Sequence, residues 1–221
     1  MALGLIGKKL GMTHIFDSEG NPIPITLIAA GPCKVAQVKS VKRDGYRAVQ
    51  LAFEVMREKR LSKPEGGHLR KAGIEPMRVL REFRLDASQQ PEVAPGDTLD
   101  ASLFKVGDLV DIIGTSKGRG FTGVIKRHGF SGTASNTHGS HEYFRHGGSI
   151  GGRFPQHVIK GVGMPGRYGG SRVTMQNLQV VDVRPAQNLL AVRGAVPGSR
   201  NGYVFIRPAK KGPAPTSTSG S

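Results

Sequence analysis

Apolar positions along this chain fall into short runs, each broken by glycine, proline or charge. Residues 23–28 (Ile-Pro-Ile-Thr-Leu-Ile) are the first such run. Residues 34–41 alternate with period two, and residues 46–53 follow. Asp44-Gly45 lies between them, a favoured turn pair, so residues 42–46 are predicted to be a hairpin connection. A charged stretch from Glu54 to Arg60 interrupts the pattern, and Lys63-Pro64-Glu65-Gly66-Gly67 follows it. One short helix is expected there, near residues 67–72. Residues 77–85 read as a strand, with Val79, Phe83 and Leu85 apolar, and Pro91, Pro95 and Gly96 mark a loop. Strands are predicted again at 109–114, 172–183, 188–196 and 203–207. No helix longer than about ten residues is predicted. Short β-branched runs punctuated by Gly and Pro specify a mainly β fold, a barrel or a sandwich.

Between residues 115 and 172 the pattern disappears. Residues 115–174 contain nine Lys/Arg, five His, fifteen Gly and one acid, Glu142. No helical or strand period is sustained. Such a stretch has little apolar surface to bury and much positive charge to neutralise, so it is expected to order against a polyanion instead of forming a core of its own. Loops beyond about 12–15 residues are uncommon in compact domains unless they are functional or disordered. Because strands of matching style resume afterwards, the segment is expected to be an insertion between two strands of one barrel. A second insertion, at about 54–97, is expected to form a smaller lobe. Residues 1–114 and 173–208 then make the core, and the Pro/Ser/Thr-rich tail, 209–221, is expected to be disordered or draped on a partner.

Charge sharpens this division. The formal net charge is +16. Residues 1–110 hold 17 Lys/Arg against 13 acids, whereas residues 111–221 hold 15 against 3. A balanced half joined to a basic half points to a nucleic-acid or anionic partner. Cys33 is the one cysteine, so neither an internal disulfide nor a paired-cysteine zinc site is possible, and its apolar surroundings predict a small core residue. No run of eighteen apolar residues is present, and no basic amphipathic helix suited to a membrane surface is predicted.

Within the basic segment, Lys117, Arg119, Lys126, Arg127, Arg145, Arg153, Lys160, Arg167 and Arg172 are spread along the chain. Phe121, Phe130, Tyr143, Phe144, Phe154 and Tyr168 are interleaved with them. Cations contact phosphates, and flat side chains stack on unpaired bases. His128, His138, His141 and His146 fit the same chemistry better than a metal site, because glycine and cationic neighbours disfavour a divalent ion. Gly118-Arg119-Gly120-Phe121-Thr122-Gly123 matches the dinucleotide pattern G-x-G-x-x-G. That fingerprint needs a sustained helix and a following strand with an acid. Here more glycine intervenes within two turns, so a dinucleotide-dependent enzyme is the weaker reading. No catalytic constellation, cofactor site or metal site is assigned.

Several motifs resemble the universal ribosomal protein L-three family of the large subunit, in its bacterial form. They are residues 7–16 (GKKLGMTHIF) and residues 114–127 (GTSKGRGFTGVIKR), then Thr137-His138-Gly139-Ser140 and Gly148-Ser149-Ile150-Gly151. Lys160-Gly161, Met164-Pro165-Gly166, Asn188-Leu189-Leu190 and residues 194–198 follow in order. The resemblance implies a β-barrel of the translation-factor type with a long irregular central extension that threads into large-subunit ribosomal RNA toward the peptidyl-transferase centre. It implies an early role in subunit assembly, a cytoplasmic, ribosome-bound location, and the large-subunit proteins L-fourteen and L-nineteen as neighbours. Lys8 and Lys9, in the opening signature, join the candidate RNA contacts. Some bacterial relatives carry a methylated glutamine directly after the Ser-Ile-Gly step; here that position is Gly152, so the modification is not carried over. The chain is therefore read as a structural, non-catalytic RNA-binding protein. The rival with the same chemistry is a free-standing RNA chaperone or translational regulator.

Overall fold

A computed structural model of the chain describes residues 3–85, 93–133 and 138–211. In chain order the strands are β1 (Leu5–Phe16), β2 (Pro22–Ala30), β3 (Cys33–Lys39), β4 (Ala48–Val55), β5 (Met77–Arg84), β6 (Thr98–Leu99) and β7 (Leu109–Thr115). They continue as β8 (Phe121–Thr122), β9 (Gly166–Arg167), β10 (Arg172–Arg184), β11 (Leu189–Arg193) and β12 (Tyr203–Pro208). Three short helices intervene: α1 (Val41–Asp44), α2 (Lys63–Lys71) and α3 (Val124–His128). The chain divides into two compact units, one of residues 1–115 with 172–221 and one of residues 116–171.

In the first unit six strands close into a barrel, in the order β1-β12-β7-β10-β11-β2, every pair antiparallel. The alternation that drives this is clearest in β12, where Val204 and Ile206 are fully buried and Tyr203 and Phe205 only partly so. Leu5, Ile6, Ile28, Val110, Ile112, Val180 and Leu190 complete the interior at 0 % exposure. Register shifts in β1 at Lys9/Gly11 and in β10 at Met175/Leu178 bend these long strands, as bulges do in closed sheets. The pairing of β7 with β10 sets Thr115 opposite Arg172. Asp111, 1 % exposed on β7, is a buried charge made tolerable by its partners. It accepts from Arg207 Nη2 (3.1 Å) and from the backbone N–H groups of Asn177 (3.2 Å) and Lys210 (3.4 Å).

A four-stranded sheet, β5-β4-β3-β6, forms the lobe. It begins earlier than the expected 54–97, because β3 and β4 pair with β5 and not with the barrel. One face (Val35, Val49, Leu51, Phe53, Phe83) joins the barrel core, and the other (Ala36, Ala52) packs on Leu69 of α2 with Ile74 and Met77. Cys33 is buried in the shared core, and its thiol, pushed up to about 12 by burial, donates to the Ile6 carbonyl.

Local structure departs from the sequence expectations at four places. β3 and β4 do form a hairpin, but they are joined by the single turn α1, with Gly45 left-handed (φ 77°) after it, and not by a tight Asp-Gly turn. α2 starts four residues before the expected helix. Ser62 Oγ accepts from the Glu65 N–H and donates to the Glu65 carboxylate (2.8 Å), and Pro64 sits in the first turn; this N-terminal capping outweighs Gly66 and Gly67. β1 is a twelve-residue strand where no strand was predicted. β11 stops at Arg193, because Gly194 takes φ 94°. Pro91 of the expected 91–96 loop and the tail beyond residue 211 lie outside the described residues.

Two pairs tie the polar rim together. Lys8 Nζ donates to Glu54 (2.7 Å), whose other oxygen accepts from the Tyr203 hydroxyl. Lys39 pairs with Glu82 (2.6 Å), which also accepts from Tyr46 (2.9 Å). The lysine hydrogen bond is the largest cause holding each glutamate below its ordinary range. A carboxylate depressed in the fold stabilises it fully above the unfolded value and loses that contribution as pH falls through the folded one. The urea midpoint is therefore expected to hold between pH 8 and 6 and to decline below about pH 4.3, with Glu82→Gln making the decline shallower. Replacing Ile112 by Ala, which removes a fully buried side chain from the barrel centre, is expected to cost about 2–5 kcal/mol in urea denaturation at pH 7.

Candidate nucleic-acid interface

The second unit, residues 116–171, is built on a two-stranded ribbon. The Ser116 N–H donates to the Ser171 carbonyl (2.9 Å), the Arg119 N–H to Tyr168 (2.9 Å), and the Tyr168 N–H to Gly120 (2.9 Å); β8 and β9 then pair antiparallel. Gly169 is required here. It has φ 72°, and a Cβ at this position would collide with the Lys117 carbonyl. Beyond the ribbon comes the one-turn helix α3, closed by Gly129 in the left-handed region. Val124 (4 % exposed) and Thr122 (8 %) are the buried residues of this unit.

A small apolar nucleus gathers there, contrary to the expectation that this segment forms no interior of its own. The space beside Gly147 is bounded by Phe130 and Val124, and a Cβ on Gly163 would meet Phe130 at 3.0 Å and His128 at 3.2 Å. At these positions glycine admits neighbouring protein, not an external surface. The nucleus escapes sequence reading because its members, Val124 and Phe130, are spaced irregularly for helix or strand and lie beside Gly147 and Gly163 far along the chain.

The predicted cations divide by what they touch. Arg127 and His128 engage the protein's own backbone: Arg127 Nη1 donates to the Met164 carbonyl (2.5 Å), and His128 Nε2, on an exposed ring, lies 3.1 Å from the same oxygen. Together they fasten the returning chain to α3. Arg119 lies over the Tyr168 ring (4.9 Å to its centroid) and Arg153 over Phe154 (5.8 Å), arrangements that orient a guanidinium while leaving its N–H edge free. Lys117, Arg119, Lys126, His138, His141, Arg145, His146, Arg153, Lys160 and Arg167 are all exposed. Among the described residues, no cation of this unit is paired with a carboxylate. His138, His141 and His146 do not assemble into a metal-binding cluster; His141 stands edge-on to Phe144 and His146 to Tyr143.

The aromatics divide in the same way. Phe121 (79 % exposed), Phe154 (77 %) and Tyr143 (57 %) present their rings outward, whereas Phe130, Phe144 and Tyr168 are partly buried. Residues 145–162 are exposed without exception. Chemically, this is an array of unneutralised donors with three open aromatic faces on a backbone that accepts close approach. Three other predicted contacts lie in the barrel unit. Arg172 is exposed at the start of β10. Lys8 is engaged with Glu54 and stacks on Tyr203 (5.9 Å), and Lys9 Nζ donates to the carbonyls of Val196 (2.6 Å) and Gly198 (3.3 Å).

Comparison with known proteins decides the lineage. Residues 92–188 match the model of the family described as Ribosomal protein L3. The large ribosomal subunit protein uL3 of Desulforudis audaxviator (strain MP104C) is 51 % identical over 212 residues, 96 % of this chain and 98 % of the relative. That of Desulfitobacterium hafniense (strain Y51) is 48 % identical over 208 residues, 94 % and 96 % of the two chains. The chain belongs to the ribosomal protein L3 family. In this L3-family chain the G-x-G-x-x-G match is resolved structurally: Gly118 and Gly120 lie in the ribbon, and Gly123 precedes a helix of five residues, too short for a dinucleotide unit. Among the described residues, no helix is long and apolar enough to cross a membrane.

Gly169→Ala is expected to open the ribbon while leaving the barrel intact. Hydrogen exchange at the amides of Arg119 and Tyr168 should accelerate at least tenfold, with amides of β7 and β12 unchanged.

Proposed function

We propose that this chain is a structural, non-catalytic constituent of the large ribosomal subunit. Its barrel unit docks on large-subunit ribosomal RNA, and residues 116–171 thread into that RNA as an extension. The observation that carries the reading is the coincidence, in one glycine-rich unit, of unpaired cations with exposed Phe121, Tyr143 and Phe154. Each cation placed near a phosphate releases counterions, and each open ring offers a stacking surface for an unpaired base. Recognition then rests on RNA shape and splayed bases, because the deep major groove of duplex RNA is closed to side chains. Family membership supports the finer reading: a barrel of the translation-factor type, an early part in subunit assembly, an extension directed toward the peptidyl-transferase centre, and L-fourteen and L-nineteen as neighbours.

The division of the cations refines the predicted contact set. Lys117, Arg119, Lys126, Arg145, Arg153, Lys160 and Arg167, with the exposed histidines, are the phosphate and base contacts. Arg127 and His128 hold the unit together, and Tyr168 orients Arg119. Replacing Arg145, Arg153 and Arg167 together by Gln is expected to weaken binding to a large-subunit ribosomal RNA transcript. It should also reduce the slope of log K against log salt by roughly 2–3, at about 0.7–0.9 per phosphate. An unchanged slope would place the contacts elsewhere.

A further inference from the structure

A groove of about 640 Å³ lies in the barrel unit, between β5 of the lobe and strands β7, β10 and β12 of the barrel. Four arginines line it: Arg81, Arg84, Arg172 and Arg207. The acid in its wall, Glu82, is already engaged by Lys39 and Tyr46. Asp111 neutralises Arg207 alone. Among the described residues, Arg81, Arg84 and Arg172 form no close ion pair with a carboxylate, although the charge of Arg84 also acts on Glu82.

Two of these guanidinium groups are held in place by rings. Arg81, from the lobe, lies 4.8 Å from the centroid of Phe205 on the barrel, and Arg84 lies 4.7 Å from that of Tyr46. Stacking fixes the plane of a guanidinium and leaves its N–H edge to form the fork that fits a phosphate. Arg207 is fixed from within the barrel. Its Nη2 is tied to Asp111, yet its buried Nε has no hydrogen-bond partner among the described residues.

We propose that this groove is a second RNA site, a clamp for the phosphodiester backbone that joins lobe to barrel. The inference rests on the RNA-binding reading above but uses none of the residues of 116–171. The four arginines are supplied by β5, β10 and β12, so a strand seated there bridges the two sheets of the unit. Arg81 and Arg84 stand on opposite faces of β5, Arg81 toward Phe205 and Arg84 toward Tyr46, and both are exposed along the groove.

The test uses the full chain and a large-subunit ribosomal RNA transcript, titrated between 50 and 200 mM KCl. The double variant Arg81→Gln/Arg84→Gln is expected to lower the salt slope by roughly 1.5, so that binding loses about eightfold less across that range. The matched variant Lys63→Gln/Lys71→Gln removes the same charge from the exposed face of α2 and is expected to leave the slope within about 0.5 of the parent. A slope unchanged by the arginine pair, or lowered equally by the lysine pair, overturns the clamp. Competition by polyglutamate as effective as competition by RNA overturns the assignment of the groove to nucleic acid. Failure of the unsubstituted protein to bind the transcript overturns the RNA-binding reading itself. Both arginines are surface residues, and unchanged far-ultraviolet circular dichroism confirms that the variant is folded.

Discussion

The pairing of β7 with β10 is the constraint on which the rest depends. It is one of the seams that closes the barrel, and it sets Thr115 opposite Arg172, the two residues between which 116–171 is inserted. An insertion whose ends are already held side by side adds little closure entropy however long it is, since that cost grows only with the logarithm of length. The seam is itself well anchored. Val110 and Ile112 of β7 are fully buried, and Asp111 between them gathers Arg207 and two backbone donors from β10 and the chain after β12. A rigid closed sheet can carry a segment that would be too polar to fold alone.

The distribution of carboxylates separates scaffold from working surface. In the barrel unit the acids are spent on local cations: Glu54 on Lys8, Glu82 on Lys39, Glu58 on Arg70, Asp182 on Arg184 and Asp111 on Arg207. The exposed pairs among these, such as Glu58–Arg70 and Asp182–Arg184, contribute little stability, with a median near 0–1 kcal/mol, but they do cancel charge. In residues 116–171 Glu142 is the single acid, so that charge stays uncancelled and is available to a polyanion. The arginine groove follows the same logic on the scaffold. Its one acid, Glu82, is committed to Lys39, and the lining arginines outnumber it.

The barrel was largely legible in the sequence because its strands obey a simple rule. Runs such as 109–114 and 203–207 are β-branched, short and bounded by turns, and they became β7 and β12. What escaped was set by contacts between distant residues. β1 reads poorly because Gly7, Lys8, Lys9 and Gly11 break its apolar run. In the fold, Gly7 lies against Ile28 and Ala29, and both lysines find partners far along the chain. The helix at Lys63–Lys71 was placed late, since two glycines hid a capping box. In the candidate interface the exposed cations were readable from composition, but their division by what they touch was not. Arg127 and His128 differ from Arg119 only in what stands opposite them, the Met164 carbonyl.

That division bears on how much of the extension is ordered before RNA arrives. The ribbon, α3 and the nucleus around Val124 and Phe130 give its base internal hydrogen bonds and some burial. Residues 145–162 have neither burial nor strand pairing. Ordering each such residue costs on the order of 1–2 kcal/mol, and a few local turns, such as Ser149 Oγ to the Gly151 carbonyl and Val162 N–H to Ile159, offset little of it. In the proposed role the offset comes from phosphates and bases. In that role the energetic demand on RNA is greatest at residues 145–162, where Arg145, Arg153 and Lys160 are carried beside exposed Ile150, Phe154 and Ile159. In the proposed role, the ribbon, α3 and the nucleus shorten the length of chain that must order on contact, and residues 145–162 are the part whose shape RNA would set.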